Sequence, residues 1–437
     1  MVRPYMVKIL WGSEQPIRPT GYGIVTRNLV KRLVQRGHEV FVMGWDYNGE
    51  PMKHEEGWTM VHAGVSGYGG EPISDPRGPT VLDKHLFELE PDVYVTLNDP
   101  WYCGNGVIST NNAGIPYIGY LPIDGYPIAT EWRDILKMMH TPLWMSKFGQ
   151  ATWEGFVESH GSKGDATKEH RDAILDRFLS QKTDVLYHGV DLDIFKPVTP
   201  ERKKELKAEL GLDCDFAFLC VARNTNRKQH PRLLEAFRKF LDRKPEARVK
   251  LILHCGDPGN DFGMGGWKLP TLFARYGLTD HVVFSDNSSN PLLGISTEDM
   301  AKLYQASDCH VMSTGGEGFG VPSAEAMACG IPIILPMNST GPELVGVHQR
   351  GWLVDCATTI MGPQWAVNMG LVDVNRLRAA MEECYDDEEM RSARGSAGRK
   401  FAEENFDWEM LTDKFEKIMT KAIMTPHPLG GRAKVRR

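Results

Sequence analysis

The run Gly315-Gly-Glu-Gly-Phe-Gly-Val-Pro-Ser-Ala-Glu325 combines two carboxylates, Glu317 and Glu325, with glycines at 318 and 320. Glycine lets a ligand approach bare backbone N–H groups. Pro322, whose missing N–H costs nothing in a first helical turn, opens a helix there. A helix amino terminus carries partial positive charge, so the segment can cradle an anion such as a phosphate. Counted from Pro322, Glu325 falls in the first helical turn while Glu317 stays on the loop. The two carboxylates could then accept bonds from two sets of hydroxyls, as a sugar and a ribose present them. Upstream, Arg223-Asn-Thr-Asn-Arg-Lys228 follows the apolar run 216–221. Arg223 and Lys228 could neutralise a diphosphate and stabilise the charge of a departing nucleotide without a metal. Taken singly, each motif also fits a plainer description: a tight turn before a helix, or a solvated charge run.

These residues need elements to hold them. In the first half, residues 7–11 and 40–43 read as strands. Val25, Leu29 and Leu33 at helical spacing, closed by Gly37, read as the helix between them. Strand-like runs recur at 93–97, 117–121 and 143–145, and the polar stretch 159–170 reads as a loop. The segment 188–197 and the charged helix 200–210 mark a domain boundary. Beyond it the alternation restarts, with strands at 216–221, 249–253, 310–313 and 331–335 and helices opening at Pro231, near Ser296/Thr297 and at Pro322. This predicts an α/β chain of two Rossmann-like doubly wound domains, residues 1–190 and 191–405, with a helix at 406–424 and a flexible basic tail at 425–437.

Composition agrees with such a chain. At 437 residues it exceeds one ordinary core, and 41% hydrophobic with 24% charged residues is ordinary globular usage. A net charge of -7 disfavours a phosphate-rich polymer as the main partner. The eight cysteines include no C-x-x-C pair and read as reduced core thiols. With no apolar leader or span-length run, the expected location is cytoplasmic.

The motifs Glu317-x7-Glu325, Arg223-x4-Lys228, His188-Gly-Val-Asp-Leu-Asp-Ile-Phe-Lys-Pro197 and Ser307-Asp-Cys-His-Val-Met-Ser313 together resemble the retaining glycosyltransferases of family 4. That resemblance implies a GT-B architecture, its two domains facing across a cleft, with the acceptor on the first and the nucleotide sugar on the second. It implies that Glu317 holds donor-sugar hydroxyls, that the backbone of Gly318, Phe319, Gly320 and Val321 contacts sugar or diphosphate, and that Glu325 binds the ribose. Arg223 and Lys228 hold the diphosphate. Gly21-Tyr-Gly23, just before a helix at Ile24, fills the place of the family's amino-terminal glycine loop or is a plain loop-to-helix turn. The helix 406–424 resembles the segment that returns to the first domain. The implied reaction moves a sugar with retention of configuration, the leaving phosphate taking the acceptor proton, with no metal or other cofactor. Glu317, Arg223, Lys228 and Asp124 are the catalytic candidates.

One departure stands out. Where many members carry a histidine after a buried strand, this chain reads Tyr117-Ile-Gly-Tyr-Leu-Pro-Ile-Asp-Gly125. Asp124 either binds a sugar or acceptor hydroxyl or is a turn aspartate. His188 and His254 read as structural, and the loop 256–266 as either a flap over the donor or a surface loop. The expected acceptor is a glycan or lipid-linked sugar, with a peripheral membrane contact allowed. Transfer to a hydroxylated nucleobase in nucleic acid, epimerisation of a nucleotide sugar, and a non-catalytic binding subunit are the alternatives. Aromatic side chains of the first half, among them Trp11, Trp45, Trp58 and Trp153, suit stacking on sugars or bases but also suit a core.

Overall fold

The structure is a computed structural model that describes residues 6–64, 81–160, 184–255, 266–285, 295–346, 349–362 and 367–426, with the side chains of 156–160 excepted. The loop 256–266 up to its last residue, most of the loop 159–170 and the tail from residue 427 lie outside the described residues. The chain forms two compact units, Met1–Ile123 with Ile128–His188 and Trp408–Arg437, and Asp124–Pro127 with Gly189–Asp407.

The first unit is built on strands β1 (Lys8–Ser13), β2 (Glu39–Gly44), β3 (Met52–Lys53), β4 (Thr59–Val61), β5 (Val93–Leu97), β6 (Tyr117–Leu121), β7 (Thr141–Trp144) and β8 (Asp184–Val185). They lie in the order β3-β4-β2-β1-β5-β6-β7-β8. All neighbours are parallel except β3 and β4. β5 and β6 are buried at every residue, because helices cover both faces of a parallel sheet. Trp11, Trp58 and Trp153 are core residues here.

The helix Gly21–Gln35 starts earlier than the sequence suggests. The Thr20 side chain accepts the Gly23 N–H at 3.1 Å, capping the helix and drawing Gly21, Tyr22 and Gly23 into its first turn. Val25, Leu29, Val30 and Leu33 form its buried stripe. The helix Trp408–Met424 clusters with this unit: Phe415 packs on Trp11 with ring centroids 5.6 Å apart, and Arg36 pairs with Glu409, Asp413 and Glu416.

The second unit holds β9 (Phe216–Val221), β10 (Val249–His254), β11 (Val282–Phe284), β12 (Cys309–Val311), β13 (Ile333–Pro336) and β14 (Gly351–Val354). The order is β11-β10-β9-β12-β13-β14, parallel throughout. The chain leaves β9 in one direction for β10 and β11, then crosses to β12 on the other side. The order therefore reverses between β9 and β12, and a crevice opens there at the carboxyl ends of the strands. A separate antiparallel hairpin, β15 (Cys356–Met361) with β16 (Asn368–Val372), was not expected from the sequence. The helices Val374–Asp386 and Glu388–Asn405, capped by Asp373 and Asp387, complete the unit. The four residues Asp124–Pro127 belong here because Tyr126 and Asn368 bond reciprocally, at 3.3 and 2.7 Å.

Candidate functional site in the second unit

The two loops that the motifs occupy leave β9 and β12, the strands flanking the reversal. The first makes a tight turn at Asn226–Lys228 and exits through Gln229. Gln229 is buried, and its side-chain amide donates to the Gly370 carbonyl at 2.6 Å, tying the turn to the hairpin. The second loop runs from Thr314 to Gly320, whose φ of +99° is the left-handed backbone that caps the helix Val321–Ala328.

Between the loops lies a chain of charges. Lys228 Nζ donates to Glu317 Oε1 at 2.5 Å, Arg227 Nη1 stands 3.4 Å from Glu317 Oε2, and Arg227 Nε stands 3.6 Å from Asp124 Oδ2. Arg227 also donates to the Gly316 carbonyl. Burial alone would raise the Glu317 pKa, but Lys228 and then Arg227 outweigh it and hold the carboxyl down at about 2. Lys228 is pushed the other way: burial, against the pull of Glu317, lowers its pKa. Glu317 is thus ionised over the whole physiological range. Gly316 is required by contact, since a Cβ there would lie 1.8 Å from the Asp124 carbonyl oxygen.

Of the residues the sequence singled out, Glu317, Lys228 and Asp124 come together, linked by Arg227. Arg223 sits at the mouth, exposed, its guanidinium without an ion-pair or hydrogen-bond partner among the described residues. The side chain of Phe319 is buried against Phe406, with centroids 5.5 Å apart, which leaves the backbone of Gly318, Phe319, Gly320 and Val321 as what that stretch can offer a ligand. Gly21, Tyr22 and Gly23 belong to the first unit, where the Tyr22 hydroxyl donates to Asp99 Oδ1 at 3.0 Å.

Glu325 corrects the sequence reading. The helix begins at Val321, so Glu325 is its fifth residue and the first turn holds no acid. The residue is half-buried, one turn in from the helix end. Burial raises its pKa to about 7, and the nearby Tyr304 hydroxyl opposes this without closing a well-formed hydrogen bond. His188 accords with a structural role: it is buried, its Nδ1 lies 2.8 Å from the Tyr120 hydroxyl, and burial lowers its pKa to about 3. His254 is less enclosed than a core residue, with Nδ1 2.8 Å from Ser285 Oγ and Nε2 unpartnered among the described residues.

The sequence reading missed Arg227, although it stands directly before Lys228. It also missed Ser339, whose Oγ accepts the Glu317 N–H at 2.9 Å while its own φ is +39°. Ser339 lines a narrow hydroxyl-rich recess with Thr314, Glu317, Ser323 and Thr340. A non-glycine residue held at positive φ stores strain, so Ser339→Gly is expected to cost less stability than Ser339→Ala. Both variants lose the hydroxyl, but only glycine relaxes the backbone. The expected difference in urea unfolding is about 1 kcal/mol, and equal costs would remove strain from this account.

The family model of the glycosyl transferases group 1 matches residues 202–361, which span the Arg223–Lys228 and Gly315–Glu325 loops but not Asp124. Among curated proteins, a GDP-mannose-dependent monoacylated alpha-(1-6)-phosphatidylinositol monomannoside mannosyltransferase of Corynebacterium glutamicum is 28% identical over 241 residues, 53% of this chain and 54% of that protein. A D-inositol 3-phosphate glycosyltransferase of Thermobispora bispora is 28% identical over 250 residues, 56% of this chain and 52% of that protein. The chain thus spans about half the length of these curated relatives. Among solved structures, sucrose-phosphate synthase of Thermosynechococcus elongatus superposes with a TM-score of 0.68 at 20% identity, covering 95% of this chain and 99% of that one. Anabaena HepE in complex with UDP-glucose superposes with a TM-score of 0.69 at 19% identity, covering 95% and 100%. At such identities the likeness is one of fold, and the fold is GT-B: two Rossmann-like α/β units.

Proposed function

We propose that the chain, whose residues 202–361 match the glycosyl transferases group 1 model, transfers a hexosyl group from a nucleoside-diphosphate sugar to an acceptor hydroxyl with retention of configuration. The observation that carries this reading is the charge chain at the strand reversal. Glu317 is locked as a carboxylate between Lys228 and Arg227, able to accept sugar hydroxyls, while Arg223, on the same loop as Lys228, has no side-chain partner among the described residues. In the reaction the bond from the anomeric carbon to the phosphate oxygen breaks and the bond to the acceptor oxygen forms on the same face. The acceptor proton leaves with the phosphate, and the nucleoside diphosphate departs. Lys228 has three donors and spends one on Glu317, so it can also meet the diphosphate, together with Arg223 and the N–H groups of Gly318 to Val321. These cations would stabilise the leaving group with no metal, so activity should survive EDTA. Glu325, in its ionised form, would take the ribose hydroxyls.

For the acceptor we favour a glycan or a lipid-linked polyol. The support is that curated relatives bear the names of phosphatidylinositol mannoside and inositol phosphate glycosyltransferases.

The test is a thermal-shift screen of the chain against UDP-, GDP- and ADP-linked sugars, followed by NMR of the product's anomeric linkage. A ligand that binds only the native state stabilises it by about 2.7 kcal/mol at a hundred times its Kd. One donor is expected to raise the melting temperature clearly. Arg223→Ala should weaken the binding of the corresponding nucleoside diphosphate about tenfold, the loss of a charge-assisted contact. No shift with any donor, or a product of inverted configuration, would sink the proposal.

A further inference from the structure

Trp267 is the described tryptophan that is more than a third exposed, at 38%. Its indole makes no ring contact and no hydrogen bond among the described residues. Its backbone, by contrast, is clamped. Asn224, fully buried, donates Nδ2 to the Trp267 carbonyl at 2.7 Å and accepts the Trp267 N–H on Oδ1 at 2.9 Å. The Asn224 N–H in turn bonds the Cys255 carbonyl at 3.2 Å, just past the end of β10. A fully buried amide spending both ends of its side chain on one residue's backbone fixes where that residue stands. Asn224 directly follows Arg223 in the chain, so the clamp ties the Trp267 backbone to the loop that carries Arg223.

An exposed tryptophan whose backbone is bonded to the residue after Arg223, a guanidinium without a partner among the described residues, matches a ligand that is anionic at one end and a flat ring at the other. A nucleoside diphosphate is such a ligand. The ring's face suits any base, because every base offers a π-face to stack on.

We propose that Trp267 is the stacking platform for the nucleobase of the donor, held in place by Asn224 while Arg223 takes the phosphates. This rests on the donor reading above and adds to it the residue that engages the base.

Calorimetric titration of the full chain with UDP, GDP, ADP and inorganic pyrophosphate tests it. Trp267→Ala is expected to weaken the best nucleoside diphosphate about tenfold or more, the usual loss for a base that stacks on an aromatic side chain. Pyrophosphate, which has no base, should bind the variant as it binds the parent. Trp267→Phe should restore affinity to within about threefold, because a phenyl ring still stacks. Unchanged nucleotide affinity in Trp267→Ala, or an equal loss for nucleotide and pyrophosphate, overturns the platform while leaving the donor site standing. A parent chain that binds none of the three nucleotides overturns the donor site and the platform together.

Discussion

Glu317→Gln is expected to destabilise the chain by about 3–5 kcal/mol at neutral pH, an amount that urea unfolding resolves easily. The amide keeps the shape of the side chain but removes the one full negative charge that, among the described residues, lies within bonding reach of Lys228, whose side chain is 11% exposed. What is lost is less the attraction itself than the compensation of a buried ammonium. The double variant Glu317→Gln, Lys228→Met should therefore recover much of the stability, since it takes the orphaned charge away as well. It should not recover sugar transfer, because both groups proposed to meet the donor are then gone. A single variant within about 1 kcal/mol of the parent would show that the pair is not buried in the sense argued. The acid limb follows from the same pair. With its pKa held near 2 against an ordinary 4.5, Glu317 contributes stability that is fully present above about pH 4.5 and is lost as pH falls towards 2.

Glu325→Gln should act in the opposite sense. In the folded chain Glu325 holds its proton up to about pH 7, against an ordinary value of 4.5, because burial disfavours the charge. Between those two pH values the unfolded chain has released the proton and the folded chain has not. Stability therefore falls as pH rises through the window, by about 3 kcal/mol in all. Above pH 7 the penalty is complete and constant. Glutamine carries no proton to lose, so the variant should be the more stable protein at pH 8 by up to that amount and indistinguishable near pH 4.5. Nucleotide binding should weaken in the variant if the carboxylate receives ribose hydroxyls. A pH-stability profile unchanged by the substitution would place the titration elsewhere.

The two carboxylates of one motif thus have opposite electrostatics, and spacing alone could not separate them. What was legible in the chain was local. β9 was read at its observed ends because a central parallel strand is an unbroken apolar run, and the helix after Gly320 announced itself by glycine and proline. The helix start at Gly21 was misjudged for want of weight on Thr20, a visible cap. Arg227, Gln229 and Ser339 were missed for a different reason. Their partners lie across loops, Glu317 being 89 residues from Lys228 and Gly370 being 141 from Gln229, and no periodicity reports such contacts. The hairpin of β15 and β16 left no trace because β15 is exposed from Ala357 to Met361, so no alternation of apolar and polar residues marks it. The raised pKa of Glu325 comes from burial, and the Tyr304 hydroxyl that opposes it is supplied by another helix, Thr297–Ala306.

The helix Trp408–Met424 sets the order in which the protein can be finished. It carries Phe415 onto Trp11, so the first unit lacks a part of its core until residues more than four hundred positions apart have both been made. On the ribosome, the second unit can collapse while the first waits with the Trp11 side of its sheet uncovered. Neither unit corresponds to one uninterrupted stretch of gene: the second takes Asp124–Pro127 from within the first, and the first takes its last helix from beyond the second. Premature termination near residue 405 would therefore damage the unit that was translated first.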